Sequence, residues 1–151
     1  MNYLAYIYIY TFSLFTYSTN ISDYPYTAGN GQSGSCAFNS GEVVATVTGS
    51  SSVSGESGLY SQASSAGPVS VCVDASSWQY YQGGVLTSCT NNVDHCVQLT
   101  GYANYGSSNA YWIVRNSWGS SWGENGFIWV AIGQDLCSIG DYATVVSAAA
   151  A

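Results

Sequence analysis

A chain of 151 residues, 47% of them hydrophobic, is long enough for one domain with a real core and short for two. Charged residues make up only 6%, Arg115 is the sole basic side chain and the formal net charge is −7, so Ser, Thr, Asn, Tyr and Gly are left to wet the surface. Nucleic acid and anionic membranes are held by basic patches, and neither is an expected partner.

In chain order, residues 1–20 differ in texture from the rest. Leu4 to Phe15 is an apolar and aromatic run, too short for a membrane span, which takes about 20 residues. Three readings stay open: a signal-peptide core, although no Lys or Arg precedes it and no A-x-A site follows; a strand carried by Tyr/Ile alternation; or a segment from a misassigned start codon. Residues 1–22 are therefore unassigned, and 23–151 read as one β-rich domain without repeat or linker.

Glu42–Thr48 is β-branched and strand-like. Residues 55–66 place Leu59, Tyr60 and Ala63 at helical spacing, and Gly67-Pro68 stops the helix. Val69–Val73 is a continuous apolar strand, read as buried on both faces. Trp78–Tyr81 predicts a helical turn. Further strands are predicted at Asp94–Tyr102, Tyr111–Asn116, Phe127–Ile132 and Tyr142–Ser147, separated by Gly-rich connections.

The five cysteines are Cys36, Cys72, Cys89, Cys96 and Cys137. None forms a C-x-x-C pair, and with one histidine a zinc site is not expected; no cofactor motif is present either, since the Gly-rich stretches lack a P-loop or dinucleotide fingerprint. An odd count leaves at least one thiol unpaired within the chain. Several cysteines, low charge and the sequon Asn20-Ile21-Ser22 lean toward an oxidising compartment.

His95 is the single histidine, and a lone histidine is more often structural than catalytic. Its setting differs: it opens the apolar strand in VDHCVQLTGY, and the next long strand ends in Asn116 within RNSWGSSWGENGF. An imidazole base needs a partner on its other ring nitrogen to set tautomer and orientation. A strand-end His beside a strand-end Asn, covered by Trp118, supplies one. The plainer reading makes Asn116 and Trp118 a loop-stabilising cluster.

With these residues the sequence resembles the papain-like cysteine peptidases. The resemblance runs from Tyr24-Pro25-Tyr26 to about Val145. Its anchors are Gly67-Pro68-Val69-Ser70-Val71, Tyr81-x-Gly83-Gly84-Val85, Asp94-His95, Gly101-Tyr102 and Asn116-Ser117-Trp118-Gly119-x-x-Trp122-Gly123-Glu124-Asn125-Gly126. It implies an α+β, mostly β fold: the antiparallel, β-barrel-like second lobe of the papain fold, with one short helix near 55–66. It also implies that His95 is the catalytic histidine, that Asn116 orients it, and that Trp118 shields their hydrogen bond. The activity implied is peptide-bond hydrolysis by a thiolate–imidazolium pair, with a polypeptide substrate, no cofactor, and a lysosomal, vacuolar or extracellular location.

The nucleophile is the gap. In this family the His and Asn lie about 130–150 residues downstream of the cysteine, within C-G-[SA]-C-[WY]. Only 94 residues precede His95, and QSGSCAF around Cys36 has Ser33 and Ala37 where that signature has Cys and an aromatic. The β-branched run after Cys36 suits a strand, whereas a thiolate is favoured at a helix N-terminus. Cys36 is therefore read as an orphan thiol whose family counterpart bonds to the other lobe. The chain reads as the second lobe alone, inactive as given, with the nucleophile lobe as its missing partner. The alternatives are a non-catalytic homologue that binds a peptide or partner, and a plain structural β-domain.

The resemblance pairs Cys89 with Cys137. Cys72 and Cys96 fall on positions that line the family's substrate pocket, with Asp94 and Tyr142 near them. A second disulfide, Cys72–Cys96, is one expectation there and two small buried thiols the other. Tyr142 would shorten the pocket and favour modest apolar side chains.

Overall fold

The computed structural model describes residues 17–20, 22–25, 27 and 30–151, with backbone alone for Tyr17 and Ser18. The run Leu4–Phe15 and its three readings lie outside the described residues. The chain divides into two compact units, residues 51–145 and residues 1–50 with 146–151.

The larger unit begins with the end of β2 (Val43–Val53) and the only α-helix among the described residues, α1 (Gly55–Ser65). The strands β3 (Val69–Val73), β4 (Val85–Leu86), β5 (His95–Ala103), β6 (Tyr111–Arg115), β7 (Phe127–Ala131) and the start of β8 (Tyr142–Ala150) follow. Their order in the sheet is β8–β3–β5–β6–β7–β4. Pairing is antiparallel except for β4 on β7, which is parallel. The fold is the mostly β, one-helix lobe expected. Its sheet is mixed and open, because β4 reaches β7 by a crossover and pairs on that side alone among the described residues.

Alternation decides which face is dry. Val69, Val71 and Val73 of β3, Val97 and Leu99 of β5, Trp112 and Val114 of β6, and Ile128 and Val130 of β7 are buried on one face. Leu59 of α1 joins them, with Trp78, Ile139 and Ala143. Each fully buried Leu, Ile or Val contributes about 1.5–3 kcal/mol. On the other face Ser70 and Cys72 are only half-buried, so β3 is not covered on both sides as its unbroken apolar run predicts. The single helix packs against β3 and β5 on the core face.

Helix α1 starts without a side-chain cap at Ser54. Its first amide donates instead to the Gly140 carbonyl at 2.9 Å. The Glu56 carboxylate, in the first turn, accepts from Trp112 Nε1 at 3.0 Å, from the Gly133 amide and from the Asp135 amide. One acidic side chain thus ties the helix N-terminus to β6 and to the loop after β7. The helix ends where the Gly67-Pro68 pair predicts, with Gly67 at φ +116° and its amide on Gln62 O.

In the smaller unit, β1 (Tyr17–Thr19) pairs antiparallel with β2, Tyr17 opposite Thr46. Asn39 caps a single 3₁₀ turn at Ser40–Glu42 by accepting from the Gly41 amide. Cys36 is a free, exposed thiol in the stretch before that turn.

Candidate active site

Strand β5 opens on His95, opposite Val73 at the end of β3. Strand β6 ends at Arg115, so Asn116 is the first residue of the following loop, beside the same sheet end. His95 Nε2 and Asn116 Oδ1 lie 2.9 Å apart. Asn116 is buried, and its Oδ1 also accepts the Ser117 amide at 2.8 Å. That second bond fixes the amide orientation, because a flipped side chain would set an NH2 against an N–H. An oxygen facing Nε2 can only accept, so Nε2 carries the proton. In the neutral ring the lone pair is then on Nδ1, the nitrogen turned away from Asn116.

Three tryptophans surround this pair. Trp118 stacks on the His95 ring with centroids 5.4 Å apart. Trp122 meets Trp118 edge-on at 5.2 Å and stacks on Trp78 at 6.2 Å. Trp78 presents its edge to His95 at 6.4 Å. Trp78 is fully buried, whereas Trp118 is 42% exposed and forms the outer wall. A hydrogen bond beside such rings faces less competing water and a lower local dielectric.

The loop that carries Asn116, Trp118 and Trp122 is closed on itself. Asn116 N–H donates to Gly126 O, Gly126 N–H to Trp122 O, and Glu124 and Phe127 exchange backbone bonds. Gly123 has no room for a side chain: a Cβ would lie 2.6 Å from Phe127 O and 2.9 Å from the Tyr81 ring, at φ +53°. Glu124 Oε1 accepts the Gly84 amide at 2.8 Å. The Tyr81-x-Gly83-Gly84 turn and the W-G-E-N-G loop therefore bind each other, which explains why two motifs 40 residues apart occur together. Glu124 and Trp122 appear in the motif, but only the folded chain shows what they hold.

The other predicted residues sit as follows. Cys89–Cys137 and Cys72–Cys96 are both disulfides, with Cα–Cα 5.2 and 4.0 Å. Closing the 48-residue loop of the first removes about 4 kcal/mol of unfolded-state entropy as an upper figure. Cys72 and Cys96 face each other across β3 and β5, and Tyr142 of β8 is opposite Cys72, 63% exposed. Asp94 does not project alone into a pocket: its Oδ1 accepts the Ala75 amide at 2.8 Å. Among the described residues no group of three or more His, Cys, Asp or Glu is arranged to hold a metal.

Sequence reasoning missed Asp74. It is fully buried directly after β3. Its Oδ1 accepts the Ser76 hydroxyl and amide, and its Oδ2 accepts the Thr90 hydroxyl and the Asn92 amide. Burial alone pushes this carboxyl up, but the four hydrogen bonds outweigh it and hold Asp74 well below the usual carboxylate range. A signal was available: an Asp ending the apolar run VSVCVD, followed by small hydroxyl residues, must find buried donors.

A mostly β unit thus carries a His–Asn pair beside three tryptophans at one sheet end. A family model described as papain family cysteine protease matches residues 5–147, and the chain belongs to that family. Cysteine proteinase A of Leishmania mexicana is 42% identical over 123 residues, covering 80% of this chain and 34% of its own length. Cathepsin L 2 of Paramecium tetraurelia is 44% identical over 117 residues, covering 78% and 34%. The digestive procathepsin L 3 of the Tenebrio molitor larval midgut superposes with a TM-score of 0.76 at 35% identity, over 86% of this chain and 44% of that one. The chain thus spans about a third of the length of these curated relatives.

Proposed function

We propose that these residues supply the His–Asn half of a papain-like cysteine endopeptidase site, and that the thiolate comes from a lobe outside the 151 residues. The observation that carries this is the His95–Asn116 pair, with Asn116 Oδ1 oriented by Ser117 N–H and Nδ1 left as the base. In the complete site, Nδ1 takes the thiol proton, the thiolate attacks the peptide carbonyl, and the imidazolium returns the proton to the leaving amine. Asn116 holds the ring through both steps and Trp118 keeps water from their bond. Cys72, Cys96, Tyr142 and Asp94 would border the substrate, which is a polypeptide. Cys36 is exposed and is followed by a single 3₁₀ turn and then a strand, with no long helix whose N-terminus would favour a thiolate, so it does not fill the nucleophile's role. Two disulfides support an oxidising compartment, lysosomal, vacuolar or extracellular. Among the described residues no helix is long and apolar enough to cross a membrane.

The 151-residue polypeptide is expected to hydrolyse no fluorogenic peptide and to take up no epoxide probe. Joined to a nucleophile lobe it is expected to do both, with turnover lost by at least about a thousandfold in His95→Ala. Probe-sensitive turnover by the 151 residues alone would overturn the proposal. An in-frame Q-x-G-x-C-G-S-C-W-like stretch in the transcript upstream of Met1 would support it. A transcript without one, together with saturable peptide binding, would favour a non-catalytic binding protein.

A further inference from the structure

We infer that Asp74 is a positioning residue for His95. It is a buried carboxylate that takes no part in the proton transfers described above, and it stands one residue beyond the rung on which His95 is held. The last pair of the β3–β5 ladder is Val73 opposite His95. Terminal rungs of a ladder open most easily, since nothing beyond them holds the strands together. Here two acidic side chains do. Asp74, next after Val73, collects the segment that leads into β5 through Thr90 Oγ1 and the Asn92 amide, and fixes its own turn through Ser76. Asp94, just before His95, returns the tie by accepting the Ala75 amide, while its own amide donates to Val73 O at 3.1 Å. The Asp74 amide in turn donates to Cys137 O at 2.9 Å, next to the Cys89–Cys137 bridge.

The imidazole depends on this clamp because its bond to Asn116 crosses from β5 to the loop after β6. Asn116 is held independently, by Gly126 O and by its own bond to Ser117. If the end of β5 frays, Asn116 stays and His95 leaves it. Without Asp74 the ring samples both tautomers, so Nδ1 is no longer reliably the base. An isosteric Asn puts an NH2 group against donors on one side of the old carboxylate and breaks that half of the clamp.

The inference rests on reading His95 as the imidazole of the site, but its test needs no peptide turnover. In the full 151-residue chain labelled with nitrogen-15, the His95 ring is expected to show the Nε2–H tautomer, with slow exchange of that proton. Asp74→Asn is expected to raise the exchange rate at least tenfold and to move both ring nitrogens toward tautomer averaging. Val130→Ala, in the core of β7 and chosen for a similar fall in Tm, is expected to leave both signals in place. If Asp74→Asn does not fold, Thr90→Val, which removes one donor and keeps the carboxylate, is expected to show a smaller change in the same direction. An unchanged His95 signature in the folded variant, or equal changes in Val130→Ala, would reduce Asp74 to a structural residue. The peptidase reading would stand in that case, because it is tested by turnover.

Discussion

Two carboxylates in the larger unit, Asp74 fully buried and Asp135 half-buried, face opposite ways in their chemistry. Asp74, beside the His95 end of the sheet, accepts four hydrogen bonds and is held well below the usual carboxylate range. Asp135, in the loop after β7, accepts the Gly140 amide at 2.7 Å. Burial pushes its carboxyl up, the Gly140 bond pulls the other way, and the charges of Asp141 and Glu56 add to the rise. Burial therefore does not decide the sign of the shift. The balance of donors against neighbouring negative charge does. The site end is built around a satisfied anion and stays rigid while that anion persists. The helix end gathers three carboxylates and is relieved when one of them takes a proton.

The comparison is most directly broken at Asp74. Asp74→Ala leaves two hydroxyls and two amides without their acceptor, and a loss of about 3 kcal/mol or more is expected, measured by urea unfolding. The sign with pH follows from the lowered folded-state pKa. Asp74 contributes its full stabilisation above the unfolded carboxylate value of about 3.9, and loses it as pH falls from there toward the folded value. Wild type and Asp74→Asn are thus expected to differ by a constant amount from pH 7 to about 5 and to converge below about 4. A gap that widened in acid would contradict the hydrogen-bond account.

At the other end, Glu56→Gln keeps one oxygen but turns an NH2 toward the amides of Gly133 and Asp135. A loss of about 1–2 kcal/mol is expected by the same assay, with the indole N–H of Trp112 exchanging faster. Trp118→Ala removes a half-exposed wall, and its cost is expected to stay below about 1 kcal/mol. The variant is expected to speed exchange of the His95 Nε2 proton without altering the fold seen by circular dichroism.

The smallest effect is expected at Asp135, where the sign reverses. Its raised folded-state pKa means that the ionised form is disfavoured in the fold, so the fold gains as pH drops through that value and loses as pH rises. Asp135→Asn keeps an oxygen for Gly140 and removes the charge. It is expected to be neutral or slightly stabilising at pH 7, and to lose that advantage near pH 4, measured by Tm across the range. A clear destabilisation at pH 7 would show that the Gly140 bond outweighs burial and neighbouring charge.

Much of this was legible in the chain. Short apolar and β-branched runs between Gly-rich connections located β3 and β5 to β8 to within a few residues, because strand-forming residues bounded by turn residues leave little room for another element. The helix boundary at Gly67-Pro68 followed from backbone chemistry. His95 and Asn116 stood out because the motif around them leaves few other uses for a strand-end His and Asn. β4 was not seen, since two residues carry no period. β2 runs to Val53, past the expected end at Thr48, through a Gly-Ser tail whose residue types do not favour a strand. Asp74 was overlooked because a single Asp after an apolar run looks like a turn residue until its donors are found.

The amino-acid sequence by itself determined the family, the strands that alternate, and the residue types available for chemistry, since these depend on local patterns and on side-chain identity. Tertiary structure alone decided which face of β3 is dry, that Cys72 and Cys96 are bonded, which nitrogen of His95 faces Asn116, and which carboxylate is stabilised as an anion. Each of those turns on what lies opposite a residue across the sheet or loop, and distance in space is not written in the order of the chain.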